Sequence, residues 1–117
     1  MAQRAWTIDA YETAAGERLV QVFIPGLGAR DRDEAFALVK LLEEQGNALK
    51  RPHSGALGGG LFELRGRQVR IFYMFLPDRI VVLLAGVIKK RDAIPDSVLR
   101  RLRGYQKEVL ATRSRKT

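Results

Sequence analysis

The sequence predicts an α+β fold, in which helices pack on a small antiparallel sheet. Three strand-like segments, 61–67, 68–76 and 79–90, follow one another with only short turns between them, which is typical of antiparallel strands. Apolar residues at helical spacing precede and follow these strands. The chain has 117 residues, of which 46% are hydrophobic. That length suits one core, so a single domain is expected to span 1–117.

The first elements are a short strand and a segment of ambiguous structure. Residues 6–11 alternate apolar and polar side chains, which favours a strand. In the segment 19–27, β-branched residues favour a strand, whereas the spacing of Leu19, Val22 and Phe23 favours a helix. A Pro-Gly pair ends that segment in either case.

The clearest helix comes next. Asp31 or Asp33 can cap its N-terminus, and Gly46 with Asn47 is expected to end it. A helix with one apolar side is expected to lie on a sheet with its other side in water. The apolar side consists of Ala35, Leu38, Leu41 and Leu42.

Residues 47–60 are rich in glycine and are expected to form a loop. The loop carries Lys50, Arg51 and His53 in its first half. It lacks the Gly-Lys-Ser/Thr ending and the strand-helix setting of a phosphate-binding P-loop. Its three consecutive glycines could let the backbone approach a ligand, but a flexible connection is the favoured interpretation.

The last element is a helix that Pro95 opens. The basic, polar residues 111–117 are expected to form a mobile tail after it. The apolar stripe of this helix consists of Val98, Leu99, Leu102, Tyr105, Val109 and Leu110.

The first hairpin brings charged side chains together on one face of the sheet. Its turn lies within residues 66–68, and two registers are compatible with it. Because side chains alternate between faces along a strand, both registers place Glu63, Arg65 and Arg70 on the same face. A structural cross-strand ion pair, worth about a few tenths of a kcal/mol, explains Glu63 and Arg70 equally well.

The second hairpin determines which lysine joins this face. Residues 77–78 suit a two-residue type I turn. That register places Lys89 on the face of the two arginines and Lys90 on the opposite face. A β-bulge or a three-residue loop would reverse this assignment.

The apolar strand residues divide between the two faces. Phe72 and Met74 fall beside the cations, where an aromatic ring could stack on nucleic-acid bases. They could instead lie under a loop or the last helix, and that is the favoured interpretation for Met74. The opposite face, which helices are expected to cover, consists of Phe62, Leu64, Val69, Ile71, Tyr73, Phe75, Ile80, Val82, Leu84 and Ile88.

Charge narrows the functional class. Residues 1–46 contain five Lys/Arg and eight Asp/Glu, whereas residues 47–117 contain sixteen and five, which gives net charges of −3 and +11. A basic half of this kind is typical of a protein that binds a polyanion, usually a nucleic acid. A solvated basic surface without a partner is the alternative.

Scarce residue types limit the chemistry. With no cysteine and one histidine, we expect no disulfide, no metal site and no cofactor, and a reducing, cytoplasmic location. No signal peptide is visible, and no apolar run reaches the roughly 20 residues that span a membrane.

Four motifs in the second half follow a characteristic order: Glu63-Leu64-Arg65, Arg70-Ile71-Phe72-Tyr73, Lys89-Lys90 and Pro95. This order resembles the RelE/ParE superfamily of type II toxin–antitoxin toxins, in particular its HigB-like branch. The resemblance covers residues 6–110, and Val20, Phe23 and Leu27 are similar to the family's short first helix. It implies a RelE-like antiparallel sheet packed by N-terminal helices and a C-terminal helix.

The resemblance also implies an activity, which is ribosome-dependent cleavage of mRNA. A cognate antitoxin, expected to be a small helix-turn-helix protein, would hold it inactive. Arg65, Arg70 and Lys90 match positions that are catalytic or contact RNA in ribonuclease members, and Lys89 adjoins them. Some members place a tyrosine after the basic pair, but residues 93–96 contain none. No aromatic acid or base can therefore be assigned there.

The residues themselves suit cleavage of RNA without a metal ion. The five carboxylates of residues 47–117 are scattered and offer no cluster for a two-metal nuclease. Arg65 and Arg70 could instead stabilise the charge that builds on the phosphate. Lys89 or Lys90 would then be the general base or acid.

Other residues are assigned supporting roles. Glu63 and His53 are reserve acid/base candidates, although a histidine in a glycine-rich loop is more often an exposed bystander. Contacts to RNA are expected from six other cations of this half, namely Lys50, Arg51, Arg67, Arg91, Arg100 and Arg101.

Two other functions stay open at this point. ParE-like relatives of the same fold inhibit DNA gyrase by binding it, without cutting RNA, and the missing late aromatic residue is compatible with that activity. The third possibility is a phage-related nucleic-acid-binding protein without toxicity. Supercoiling, RNA cleavage and growth assays separate the three.

Overall fold

The structure is a computed structural model that describes residues 5–89 and 93–115. The strands form one sheet in the order β1-β5-β4-β3-β2, in which β1 is parallel to β5 and the other neighbours are antiparallel. The predicted α+β class is confirmed. The elements are β1 (Thr7–Ala10), α1 (Leu19–Phe23), α2 (Ala29–Gln45), a short 3₁₀ helix (Gly46–Ala48), β2 (Ser54–Gly58), β3 (Leu61–Arg65), β4 (Val69–Leu76), β5 (Ile80–Ile88) and α3 (Asp96–Arg115).

Helices cover both faces of this sheet. One face, called the α2 face here, packs against α1 and α2 in a cluster that includes Leu42, Leu64 and Ile71. The other, called the α3 face, packs against α3 in a cluster that includes Phe72 and Leu102. Each strand of the central hairpins therefore buries apolar side chains in both directions, which is why β4 reads as a nearly continuous apolar run.

Phe72 and Met74 lie on the α3 face, where the last helix covers them. Both side chains are buried in the cluster beneath α3. The last helix is therefore confirmed as the cover of Met74. The idea that Phe72 forms a stacking platform for bases is wrong, because its ring is fully buried.

The turn between β4 and β5 differs from the predicted one. Leu76 pairs with Ile80, so the loop has three residues rather than two. Asp78 and Arg79 both have positive φ, at 67° and 59°, a conformation that sequence rarely reveals for residues other than glycine. The extra residue reverses the faces at the start of β5, which puts Ile80, Val82 and Leu84 on the α3 face rather than the predicted α2 face.

A β-bulge further along β5 reverses the faces a second time. Tyr73 pairs with Leu83, but the next pair along is Phe72 with Ala85, so Leu84 is the extra residue. From there Arg70 lies opposite Val87. The two shifts cancel, so the end of β5 has the faces that the sequence predicted.

The glycine-rich segment contains a strand that the sequence did not predict. Ser54–Gly58 forms β2, which pairs with β3 at the edge of the sheet. Gly58, Gly59 and Gly60 make the turn into β3, all with positive φ. The expected loop is therefore partly wrong, because these glycines form a tight turn. The residues before them are mostly small, so strand β2 lacks the alternation of apolar and polar side chains by which a strand is predicted.

Helix boundaries were predicted with mixed success. The ambiguous segment is helical in α1, as the family resemblance favoured. The N-cap of α2 is Gly28, so both predicted caps are wrong; the helix starts earlier, and Asp31 lies in its first turn. Gly46 ends α2 as predicted, with φ of 51° and with the Trp6 ring packed where a Cβ atom would lie.

The last helix begins directly after Pro95, as predicted. Its predicted stripe is packed against the sheet except for Leu110, which is half-exposed. Residues 111–115, predicted to belong to the tail, continue α3, and Arg113 donates a 2.6 Å hydrogen bond to Asp9. In the described part of the chain, no helix is both long enough and apolar enough to cross a membrane.

Candidate functional site

The candidate site lies at the end of the sheet where β3 stops and β4 begins. Antiparallel pairing brings the end of β3, the start of β4 and the end of β5 to the same edge, because Arg65 pairs with Arg70 and Arg70 with Val87. The observed hairpin has one of the two registers that the sequence allowed, in which Arg65 pairs with Arg70 and residues 67 and 68 form the tip.

A buried carboxylate lies at the centre of this site. The Glu63 side chain is only 5% exposed, and its Oε2 atom accepts a 3.1 Å hydrogen bond from Nε of Arg65 and lies 3.0 Å from Nη2 in the same ion pair. Its Oε1 atom lies 3.7 Å from Nε of Arg70. The predicted shared face of these three residues is therefore confirmed. We call this group the Glu63 cluster.

Arg70 is held by the backbone as well as by Glu63. Its Nη1 atom donates to the carbonyl oxygens of Gly66 and Val69 at 2.7 and 3.0 Å. The side chain is 10% exposed. These contacts orient the guanidinium toward the hairpin turn, so Arg70 is a preorganised, nearly buried cation.

Arg65 is the accessible member of the Glu63 cluster. Its side chain is 35% exposed and lies across β2 above Gly55. A Cβ atom at Gly55 would come within 2.8 Å of the Arg65 guanidinium carbon, so only glycine leaves room for this position. A phosphate arriving from solvent would meet Arg65 before Arg70.

His53 and Lys89 border the cluster on either side. The carbonyl oxygen of His53 accepts a 2.8 Å hydrogen bond from the Arg65 amide, which extends the β2–β3 pairing by one position. The Lys89 amide donates to Gln68 at 2.6 Å, beyond the last pair of β4 and β5. Alternation then puts Lys89 on the face of Arg70, as predicted, and makes it the diagonal neighbour of Arg70, which pairs with Val87.

Glu34 of α2 positions the hairpin turn, and nothing in the sequence pointed to it. Its Oε1 atom accepts a 2.9 Å hydrogen bond from the Arg67 amide and packs against Gly66. Because Gly66 also supplies a carbonyl to Arg70, this contact connects α2 to the Glu63 cluster. The contact joins residues 33 positions apart, so local sequence patterns carry no signal for it.

The remaining predicted RNA contacts are spread over the surface. Arg67 is exposed at the hairpin tip, and Arg100 and Arg101 are exposed on α3. Lys50 and Arg51 are exposed beside a cavity on the α2 face, whose lining also includes Gly55, the residue against which Arg65 lies. Two predicted site residues, Lys90 and Arg91, lie outside the described residues.

Arg103 belongs to the same basic run of α3 but points inward. It donates to the carbonyl oxygens of Gly58 and Leu57 at 2.6 and 3.1 Å, and Gln106 donates to Gly59 at 3.0 Å. Arg103 is thus a structural residue that holds the turn between β2 and β3. The run of arginines alone could not distinguish it from its exposed neighbours.

Among the described residues, no group of three or more His, Cys, Asp or Glu side chains is arranged to hold a metal ion. Five charged or titratable groups make up the site. These are two guanidinium groups matched to oxyanions, one ammonium group, one imidazole and one buried carboxylate.

Comparison with protein families adds an independent observation. Residues 23–104 match the family described as Phage derived protein Gp49-like (DUF891). The chain belongs to this family. The match runs from the end of α1 into α3 and includes the whole Glu63 cluster, so the site lies within the part that defines a Gp49-like protein. No curated protein matches the sequence.

Proposed function

We propose that this Gp49-like protein is a toxin of a toxin–antitoxin system that cleaves mRNA on the ribosome. The observation that carries the proposal is the Glu63 cluster, in which Arg65 and Arg70 converge on one buried carboxylate beside Lys89. A protein that binds RNA only by charge has no need to bury such a group. The phage-derived family and the RelE-like architecture support the same function.

Two arginines are suited to the transition state of RNA cleavage. When the ribose 2′-oxygen attacks the adjacent phosphorus, negative charge grows on the phosphate oxygens and the bond to the 5′-oxygen breaks. Arg65 can approach those oxygens from solvent, while Arg70 supplies a cation fixed by Gly66 and Val69. Glu63 holds both guanidinium groups in place when no RNA is bound.

A proton must leave the 2′-hydroxyl, and another must reach the 5′-oxygen. Lys89 or Lys90 is proposed for one of these transfers. Glu63 is the weaker candidate, because Arg65 already occupies its Oε2 atom. His53 is the better reserve, since it is exposed and its carbonyl oxygen is hydrogen-bonded to the Arg65 amide.

The partners follow from the same proposal. Lys50, Arg51, Arg67, Arg100 and Arg101 would contact the phosphates of mRNA or ribosomal RNA, together with Arg91. A small helix-turn-helix antitoxin would bind the toxin and keep it inactive in the cytoplasm. A reading frame of that kind next to the gene is the expected genetic setting.

The test is to add purified protein to translating ribosomes and map the ends of the mRNA. The proposal predicts new ends that require both the protein and the ribosome. Alanine substitutions at Lys89 and Lys90, one at a time, identify the functional lysine by the larger loss of cleavage. Uncut mRNA with the wild-type protein contradicts the proposal.

Gyrase inhibition is the second candidate, and the burial of Arg70 is the observation that favours it. A guanidinium satisfied by two carbonyl oxygens and a carboxylate can be a purely structural cation. Under this alternative the protein blocks DNA supercoiling and leaves mRNA intact. A non-toxic phage-related protein that binds nucleic acid would do neither, and induced expression without an antitoxin would leave growth normal.

A further inference from the structure

A cavity of about 590 Å³ lies on the α2 face of the sheet, next to the residues that follow the C-terminus of α2. Its walls include Lys50, Arg51, Ser54, Phe62, Tyr73 and Phe75, and we call it the aromatic cavity. The volume is within the range of about 300–1,000 Å³ that is usual for small-molecule sites. The cleavage steps proposed above use the Glu63 cluster on the α3 face, and of the residues that line this cavity they call only on Lys50 and Arg51, as phosphate contacts.

Three aromatic rings form the apolar wall. Phe62 stacks on Tyr73 with ring centroids 5.6 Å apart, and Phe75 meets both rings edge to face at 5.2 and 5.5 Å. Phe62 and Phe75 are only partly buried, so ring surface is accessible. Exposed aromatic surface of this kind suits stacking of a flat π-system such as a nucleobase.

A pair of hydroxyl groups supplies a polar position at the base of the cavity. Ser54 Oγ and the Tyr73 hydroxyl are hydrogen-bonded to each other and buried. One of their two protons makes that bond, which leaves the other proton and several lone pairs for the edge of a ligand. Burial raises the pKa of Tyr73, although the bond to Ser54 acts in the opposite direction, so the phenol stays neutral and can donate.

The charges at the rim are all positive. Lys50 and Arg51 are exposed and line the cavity, and none of the described residues that line it is acidic. A ligand that carries a phosphate next to an aromatic ring would bind both the cations of the rim and the aromatic wall. An extended peptide would use the cations only if it were acidic and would not need three rings.

We propose that the aromatic cavity binds a nucleoside monophosphate unit, with the base against Phe62 and Phe75 and the phosphate at Lys50 and Arg51. This unit belongs either to single-stranded RNA or to a free nucleotide. The site goes beyond the proposed cleavage activity, because it lies on the other face of the sheet and needs none of the catalytic residues.

The chain contains its own reporter for this site. Trp6 is the only tryptophan, and its ring lies 5.4 Å from that of Phe75, which lines the cavity. A base that stacks on Phe75 changes the surroundings of Trp6 and therefore its fluorescence. The guanidinium group of Arg79 also packs on Trp6, with its central carbon 4.8 Å from the centroid of the Trp6 ring.

The experiment titrates the full-length protein with AMP, with a single-stranded hexanucleotide and with inorganic phosphate, and follows Trp6 fluorescence and binding heat. We expect saturable binding of AMP or of the hexanucleotide, and the tighter ligand identifies the natural source. Saturable binding of AMP is expected even if the protein proves to have no nuclease activity. No saturable change with either nucleotide ligand would overturn the proposal.

Variants locate the binding. Phe62→Leu should weaken the binding of AMP by about ten-fold, because one stacking ring is lost. The double variant Lys50→Ala/Arg51→Ala, which removes both exposed cations, should weaken it by a similar factor. Phe36→Leu and Lys40→Ala change an exposed ring and an exposed cation of α2 and should leave AMP binding unchanged. If inorganic phosphate binds as tightly as AMP and Phe62→Leu has no effect, the site recognises charge alone and the proposal is wrong. The double variant keeps the test valid if Phe62→Leu fails to fold.

Discussion

Oε1 of Glu63 lies 3.7 Å from Nε of Arg70, across strands β3 and β4, where both side chains are almost fully buried. Neither atom has a hydrogen-bond partner among the described residues, so the two charges stabilise each other mainly through their field. Arg65 neutralises the other carboxylate oxygen from the solvent side. This arrangement gives each of the three residues a different expected response to substitution.

Glu63→Ala should destabilise the fold by about 3–5 kcal/mol, because it leaves the Arg70 charge buried without its counter-charge. Arg65→Ala should cost about 1 kcal/mol or less, since that side chain is partly solvated. Urea unfolding followed by circular dichroism measures both. Glu44→Ala, at an exposed position of α2, is the control and should change stability by no more than about 0.5 kcal/mol. A loss for Glu63→Ala as small as that of the control would refute the buried-pair account.

Gly55→Ala should reduce RNA cleavage while leaving the fold intact. The added methyl group displaces the flexible end of Arg65, which lies 2.8 Å from the position of a Cβ atom. Displacing a group that positions the substrate by about 1 Å can lower the rate by about 100-fold, so the shift of Arg65 should slow cleavage to that extent. Gly104→Ala is the matched control, since no atom lies within 4 Å of its Cβ position; it should stabilise α3 by about 0.5–1 kcal/mol and leave cleavage unchanged. Equal cleavage by both variants would show that the position of Arg65 does not matter.

Arg103→Ala should loosen the turn between β2 and β3. The variant loses hydrogen bonds to Leu57 and Gly58, which we expect to lower the free energy of unfolding by about 1–3 kcal/mol. Hydrogen exchange should become faster in residues 57–60. Lys107→Ala, an exposed cation on the same helix, should leave both quantities unchanged. Protection of the turn in Arg103→Ala equal to that in the wild type is the contrary result.

Stability should fall at alkaline pH partly through Tyr11. Burial raises the pKa of Tyr11 above its usual 10.0, and the hydrogen bond and charge of Glu108 raise it further. The folded state therefore keeps a proton that the unfolded state loses above pH 10, so this contribution is complete below pH 10 and disappears as the pH rises beyond it. Tyr11→Phe should lose less stability than the wild type between about pH 9 and 11 in thermal unfolding. Parallel pH curves for the two proteins would contradict this.

Most of the elements and the charged face could be predicted from the sequence, but strand β2 and the register of β5 could not. Lys89 falls on the face of Arg70 only because two register shifts cancel. One comes from Asp78 and Arg79 in the left-handed region, and the other from Leu84 in the bulge. Because β5 is apolar on both sides, its pattern carries no alternation that would reveal either shift.

Long-range contacts were the other limit of prediction. Gly55 lies against Arg65, and Glu34 contacts the turn at residues 66–67, across elements that only the folded chain brings together. By contrast, Glu63 with Arg65 and Arg70 could be predicted, since strand alternation within one hairpin is enough to place them. Contacts within the predicted hairpin were therefore predictable, whereas contacts made with the unpredicted strand β2 or with helix α2 were not.

The most direct test of the central claim is the rate of mRNA cleavage by Arg70→Ala on translating ribosomes, measured by primer extension beside the wild type. We predict that the wild type cuts and that Arg70→Ala is slower by about 10²–10³-fold, the usual loss when one group that stabilises the transition-state charge is removed. Circular dichroism must show that the variant is folded, and Lys40→Ala should cut at the wild-type rate. Undiminished cutting by folded Arg70→Ala would contradict the account.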